Sequence, residues 1–318
     1  MRVSPMISIV ILSYSSKRKT CLRDLLDSIE KQTYRNIEIL VIVERSAELK
    51  KLASEFPSGL TKIVYFTHER VGVSKARNLG VKLAKGEIVA FVDDDALPSP
   101  NWCEIIAKSF EGDPSIIGVT GRAIPLGEPV RLLSFPHSLY WAIGCTRPDD
   151  RAPHYTNFAA GVNMAFLKEA FTSHKFSLDI IGDERSRANI FKGLPNDEND
   201  FAVRVTTQTG RLILYNPVAV VYHHVDDVRL QFAFVRQYSF WQGVAEARYS
   251  GNARWSRARW NLLKTFVGTI GHDIFSFEGG INATTTRLKF VLSSLIFIMI
   301  GFFAHKCNLV YRIAPAVR

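Results

Sequence analysis

The stretch "EIVAFVDDDALPSPNW", residues 87–102, runs from an apolar segment into three consecutive carboxylates, Asp93, Asp94 and Asp95. A short apolar run bounded by turn residues reads as a buried strand. Like charges crowded at its end disfavour one another's ionised forms, so the arrangement is costly unless a positive group sits there. On an extended backbone, residues i and i+2 share a face, which lets Asp93 and Asp95 converge while Asp94 turns aside. Two convergent carboxylates make a hard-oxygen site suited to Mg2+ or Mn2+ shared with substrate phosphates. A helix cap does not need three acids, because "SPNW" brings its own start signal in Ser99 and Pro100. A solvated acidic loop is the remaining alternative.

The residues upstream give this strand its neighbours. "ISIVILSY" (7–14), "IEILVIVE" (37–44) and "TKIVYFT" (61–67) are apolar and β-branched, as strands covered on both faces should be. Between them, "TCLRDLLDSIEKQ" (20–32) places Leu22, Leu25, Leu26 and Ile29 on one helical face, and "VSKARNLGVKLAK" (73–85) continues the alternation. Strand, helix, strand, helix predicts an α/β fold with a mostly parallel central sheet. Ligands of such sheets bind beyond the carboxyl ends of the strands, where the three aspartates fall. Residues 115–225 are less regular, and 172–200 read as a long loop region. The α/β pattern gives way near Asp226–Asp227, which predicts a catalytic domain over 1–225 and a helical region over 226–318.

The chain has 318 residues, enough for a sizeable core, and a formal net charge of +10. That charge points to an anionic partner: nucleic acid, a membrane surface or a phosphorylated substrate. The cysteines Cys21, Cys103, Cys145 and Cys307 have neither zinc-finger nor redox spacing, which predicts reduced thiols facing the cytosol. The first apolar run lacks the small-residue cleavage site of a signal peptide. Residues 230–270 interleave arginines with tryptophan, tyrosine and phenylalanine. "FVLSSLIFIMIGFFA" (290–304) is then free of charge, with Lys289 and Lys306 at its ends. A full span needs about 20 apolar residues, so this run is either a short membrane insertion with snorkelling lysines or a buried helix.

Two further groups carry potential chemistry. Asp197, Glu198 and Asp200 precede an apolar helical piece. Acids there suit a helix N-terminus, and the same carboxylates are able to act as a general base. His223 and His224 end an apolar strand, where one of them is able to complete a metal site. Lys75 and Arg77 read by default as a solvated helix face. No P-loop, dinucleotide fingerprint, HExxH or nucleophile elbow is present.

Taken together, "ISIVILSYSS", "LLDSIEKQTYRNIEILVIVE", "VGVSKARNLGVKLAKGEIVAFVDDDALPSPNW", "FAAGVNMAFLKEAF", "NDENDFAVRV" and "YNPVAVVYHHV" resemble the family 2 glycosyltransferases in order and spacing, over residues 6–245. The resemblance implies a GT-A (Rossmann-like) fold and an inverting transfer from a nucleotide diphosphate sugar. It implies Asp93 and Asp95 as the DXD pair around the metal, Asp94 as its middle residue and His223 beside it, with Asp93 and Asp94 also counted as donor-binding. Arg77, Tyr14 and Glu44 become donor-side contacts, with Ser15 and Glu44 standing where the family has Asn and Asp. Gly161 and Asn163 fall on the acceptor side. The base falls to Glu198 with Asp197 second, an order of types swapped from the family's. The acceptor is then lipid-linked, glycan or polysaccharide. Membrane lipids are expected as partners, nucleic acid is not, and the catalytic domain is expected on the cytoplasmic side. A sugar-nucleotide nucleotidylyltransferase and a non-enzymatic membrane- or nucleic-acid-binding protein are the alternatives. The first would carry a glycine-rich basic loop that "ILSYSSKRK" lacks.

Overall fold

A computed structural model describes residues 4–127, 132, 135–178, 197–249, 280–307 and 309. The basic, aromatic stretch 250–279 lies outside the described residues. The chain divides into two compact units: Met1–Ile124 with Arg151–Ile181 and Asp197–His223, and Pro125–Asp150 with Gly182–Asn196 and His224–Arg318.

The first unit is built on a mixed sheet. Its strands are β1 (Ile7–Ser13), β2 (Ile37–Glu44), β3 (Thr61–Thr67), β4 (Ile88–Asp93), β5 (Ala96–Pro98), β6 (Ile116–Leu126), β7 (His154–Thr156), β8 (Asn163–Leu167) and β9 (Leu212–His224). The sheet order is β3-β2-β1-β4-β8-β6-β9-β5, with β7 also on β9. The pairs β3–β2, β2–β1 and β1–β4 are parallel. From β8 onward the pairings β4–β8, β8–β6, β9–β5 and β9–β7 are antiparallel. The helices are α1 (Lys19–Glu30), α2 (Ala47–Glu55), α3 (Val73–Leu83), α4 (Trp102–Glu111) and α5 (Asp197–Thr209). Alternate residues of each strand feed two cores. Ile9, Ile11, Ile39, Val41, Val43, Ala90 and Val92 meet Leu22, Leu25, Leu26, Leu49, Trp102 and Ile106 on one face. Val10, Leu40, Val89, Phe91 and Phe166 meet Phe171, Phe176, Phe201 and Val205 on the other. The period-2 alternation of a strand produces this division.

Ser99 is not the cap of α4. The helix starts at Trp102 with Asn101 as its cap, and the Ser99 hydroxyl donates to Asn101 Oδ1 at 3.1 Å.

Among the described residues, the second unit holds two long helices, α6 (Phe232–Tyr249) and α7 (Gly280–Lys306). Phe232 stacks on Phe290 at 4.0 Å between ring centroids, and the Ser239 and Ser294 hydroxyls meet at 2.8 Å. A Cβ on Gly243 would strike the Ile298 carbonyl. Partners advance together along both helices, so the two run parallel. The close approach needs glycine on each side, since a Cβ on Gly301 would strike the Phe240 carbonyl. Small residues that bring backbones this near are typical of helix pairs in lipid. The fifteen-residue apolar run is therefore part of a 27-residue helix. A charged side chain such as Lys289 ends a hydropathic run without ending a helix. The window Thr284–Lys306 is long and apolar enough to cross a membrane, and 28% of it is buried, where a soluble core helix would be mostly buried.

Candidate active site

Asp93 is the last residue of β4, and β4 hands the chain to a turn that carries Asp94 and Asp95 inward. β5 pairs antiparallel with β9 so that Ala96 faces His223. That register brings the buried imidazole to Asp95, with Nε2 3.4 Å from Oδ1. Ligand atoms of Asp93, Asp95 and His223 all lie within 4.8 Å of one another. Two hard oxygens and one imidazole nitrogen form a donor set that Mg2+ or Mn2+ accepts, so these residues fit a divalent cation.

Asp94 turns aside, as the alternation predicts, into a buried pocket. Its Oδ2 accepts from the Ser13 hydroxyl at 2.6 Å and its Oδ1 from Arg18 Nη1 at 2.8 Å. The other arm of the Arg18 guanidinium reaches Asp95 Oδ2 at 2.9 Å. Burial pushes the Asp94 carboxyl up to about 6, against the pull of Arg18 and Ser13. Part of the positive charge that three adjacent acids require is thus an arginine from the short turn between β1 and α1. Sequence reasoning missed it, and the basic run "SKRK" was the available signal.

The second acidic group lies at the start of α5. The Asp197 carboxylate accepts from Ser74 Oγ at 2.9 Å and Arg77 Nη1 at 2.7 Å, and the same Nη1 stands 3.3 Å from Glu198 Oε2. Burial opposes charge on Asp197. Arg77, a hydrogen bond with Glu198 and the Ser74 hydroxyl outweigh it and hold Asp197 below the usual carboxylate range. Glu198 is pushed up to about 8, first by burial and then by the adjacent Asp197. The two neighbours are therefore divided into a locked anion and a carboxyl with high proton affinity. Asp200, the third acid, is occupied by Arg204, 2.9 Å from its Nε. Beneath them Phe201 stacks on Phe176 at 4.6 Å and on Phe171 at 4.8 Å, and the Arg77 guanidinium lies 5.4 Å over the Phe176 ring. Asn78 completes the clip, donating to the Phe176 carbonyl at 2.8 Å and accepting its N–H at 2.9 Å.

Two further expected positions are set by their partners. Arg77, a donor-side contact by the resemblance, reads from its own segment as part of a solvated face. Lys75 is exposed, but Arg77 is buried and ion-paired to Asp197 and Glu198. The helical turn from Ser74 to Arg77 points both side chains at α5, which a linear reading does not reveal. Asn163 was expected on the acceptor side. It is buried, with its carbonyl accepting from Trp102 Nε1 at 2.8 Å and its two N–H groups donating to the Arg122 and Ala219 carbonyls at 3.0 and 2.8 Å. Both ends of its amide are spent on holding α4, β6, β8 and β9 together. Gly161 faces the acidic pair: a Cβ there would lie 2.6 Å from Arg77 Nη2 and 3.6 Å from the Glu198 carboxyl carbon. Gly161→Ala is expected to displace Arg77 and lower turnover by about 10²-fold, the cost typical of an ångström-scale misplacement. Its melting temperature should fall, because a displaced Arg77 leaves Asp197 without its buried partner, while the protein still folds and binds donor; unchanged turnover would remove Gly161 from the site. On the remaining edge, Glu44 is buried and accepts from the Gly72 N–H at 3.1 Å. Tyr14 is 50% exposed with Arg70 5.2 Å over its ring.

The family described as Glycosyl transferase family 2 matches residues 8–174, more than half of the chain. The chain belongs to glycosyl transferase family 2. It is a glycosyltransferase, in place of the nucleotidylyltransferase and the non-enzymatic binding protein. A relative from Haloferax volcanii, the glucosyl-dolichyl phosphate glucuronosyltransferase, is 28% identical over 246 residues, covering 76% of each chain. The putative glycosyltransferase EpsH of Bacillus subtilis is 28% identical over 188 residues, 57% of this chain and 52% of its own. Among solved structures, the mannosyltransferase PcManGT from Pyrobaculum calidifontis, in complex with GDP-Man and Mn2+, superposes with a TM-score of 0.59 at 17% identity. That match covers 96% of this chain and 88% of the other. The likeness establishes the GT-A fold of this glycosyl transferase family 2 member. The family match stops before Asp197, Glu198 and His223, so their reading stands on the geometry above.

Proposed function

We propose that the protein is a metal-dependent, inverting glycosyltransferase that moves a sugar from a nucleotide diphosphate sugar to a hydroxyl of a lipid-linked acceptor at a membrane. The observation that carries this reading is the pairing, in one unit, of a hard-ligand cluster with a separate buried carboxyl of high proton affinity. Asp93, Asp95 and His223 would hold Mg2+ or Mn2+. When bound, the cation neutralises charge on the departing nucleoside diphosphate. Glu198 takes the proton of the acceptor hydroxyl as its oxygen bonds to the anomeric carbon and the bond to the diphosphate breaks. Attack from the opposite face inverts that carbon. Asp197 stays ionised against Arg77 and Ser74 and fixes the turn that presents Glu198. Tyr14 and Glu44 line the nucleoside side. Gly161 leaves room beside the base.

The Haloferax relative is named for a dolichyl phosphate acceptor, and the structural neighbour holds GDP-Man and Mn2+. Both support a lipid-linked acceptor and a divalent cation here. A screen of nucleotide sugars for thermal protection and metal-dependent hydrolysis, followed by transfer to a polyprenyl phosphate sugar, tests the reading. Activity that survives exhaustive chelation would overturn its metal dependence.

The membrane half of the proposal rests on α7. Its exposed residues Lys289, Leu292, Ile296, Met299, Phe303 and Lys306 recur every three or four positions along one face. Four large apolar side chains between two lysines suit a bilayer with snorkelling ends, and soluble surfaces seldom leave such a stripe bare. With most of the nearby basic residues on its N-terminal side, the catalytic domain stays on the cytoplasmic side. Full-length protein should pellet with membranes through a high-salt wash. A variant with serine at 292, 296, 299 and 303 should be released while keeping its melting behaviour. Wild-type protein that stays soluble without detergent would refute insertion.

A further inference from the structure

We propose that Arg18 makes cation binding at Asp93, Asp95 and His223 conditional on the donor diphosphate. This rests on the metal reading above and adds a residue to it. The guanidinium forks across Asp94 Oδ1 at 2.8 Å and Asp95 Oδ2 at 2.9 Å, with the arginine side chain 21% exposed and both acids 2%. Two consequences follow from that geometry. Arg18 occupies one oxygen of Asp95 and leaves the oxygen that faces His223, so Asp95 offers a cation a single ligand atom. It also places a positive charge against the carboxylate that a divalent cation must share, and that repulsion is poorly screened in a buried setting.

A diphosphate removes both obstacles. Its negative charge offsets Arg18, and its oxygens give the planar fork an alternative partner of matching geometry. The partly exposed edge of Arg18 leaves a path for that exchange, while Ser13 keeps Asp94 in place. Cation and donor would therefore enter together, and the donor-free enzyme would hold a cation weakly.

The test is Mn2+ titration followed by the electron paramagnetic resonance of the free ion, with and without GDP or UDP. Wild-type protein should bind Mn2+ weakly alone and much more tightly with a nucleoside diphosphate. Arg18→Met should bind Mn2+ alone about tenfold more tightly than wild type, and the nucleotide should add little further. Arg18→Gln, which keeps a donor on Asp94 without the charge, should do the same and serves if the methionine variant does not fold. Circular dichroism and melting report the fold. Mn2+ affinity in both variants that equals or falls below wild type, with the fold intact, overturns the role of Arg18. If wild-type protein binds no Mn2+ even with nucleotide, the metal reading fails and the inference fails with it.

Discussion

Glu198→Gln is expected to lose about 10²–10⁴-fold in turnover, the usual contribution of general base catalysis, while still binding donor. Glutamine keeps the shape and the hydrogen bond toward Asp197 but takes no proton. The wild-type pH profile should carry the mark of the same group. Glu198 is held up to about 8, and a base must be deprotonated to act. Turnover should then rise about tenfold per pH unit below 8 and level off above it. Stability should move the opposite way. A carboxyl whose folded pKa lies above its unfolded value favours the fold below the unfolded value, and that contribution disappears as pH rises through about 8. Between pH 6 and 9 the melting temperature of Glu198→Gln should therefore fall less than that of wild type. If Glu198→Gln turns over normally and Asp197→Asn is dead, the base is Asp197 and the roles of the pair are reversed.

Asp95→Ala is the second large effect. It removes one oxygen ligand and one partner of Arg18, while Asp94 keeps both Arg18 and Ser13. The fold should survive, and turnover should drop by about 10²–10³-fold at saturating Mn2+, since a metal supplies several kcal/mol of charge stabilisation in the transition state. Near-normal turnover would sink the assignment of Asp95. The contrast with Asp94→Asn is informative. Asp94 faces the interior and holds Ser13 and Arg18, so its loss should show in melting temperature before it shows in affinity for Mn2+.

The parallel half of the sheet could be read directly from the chain because its information is local. β1, β2, β3 and β4 are apolar runs separated by helices whose faces show in their spacing. The antiparallel half could not. β8 adds beside β4, and β6, β9 and β5 follow, through pairings between residues far apart in the chain, so no window of sequence contains them. The candidate site divides in the same way. Asp93, Asp95, Glu198 and His223 stand out by type and position. Ser74 and Arg77 meet Asp197 across separations of 123 and 120 residues, and Arg18 meets Asp94 across 76. Their partners are created by folding. Asn163 shows the converse: a residue that a motif marks for substrate is consumed by Trp102 and two backbone carbonyls.

Helix α3 holds two points of the chain that lie on either side of residues 179–196. Asn78 grips the backbone of Phe176, and Ser74 with Arg77 grips Asp197. Both grips fall within little more than one helical turn, so one helix sets the positions of Phe176 and Asp197 together. A change at Asn78 would therefore be felt at Phe176, under the acidic pair, and a change at Ser74 or Arg77 at Asp197 itself. In mechanical terms, α3 is a single fixture: a shift of this one helix would carry the anchor of the base and the aromatic floor beneath it together.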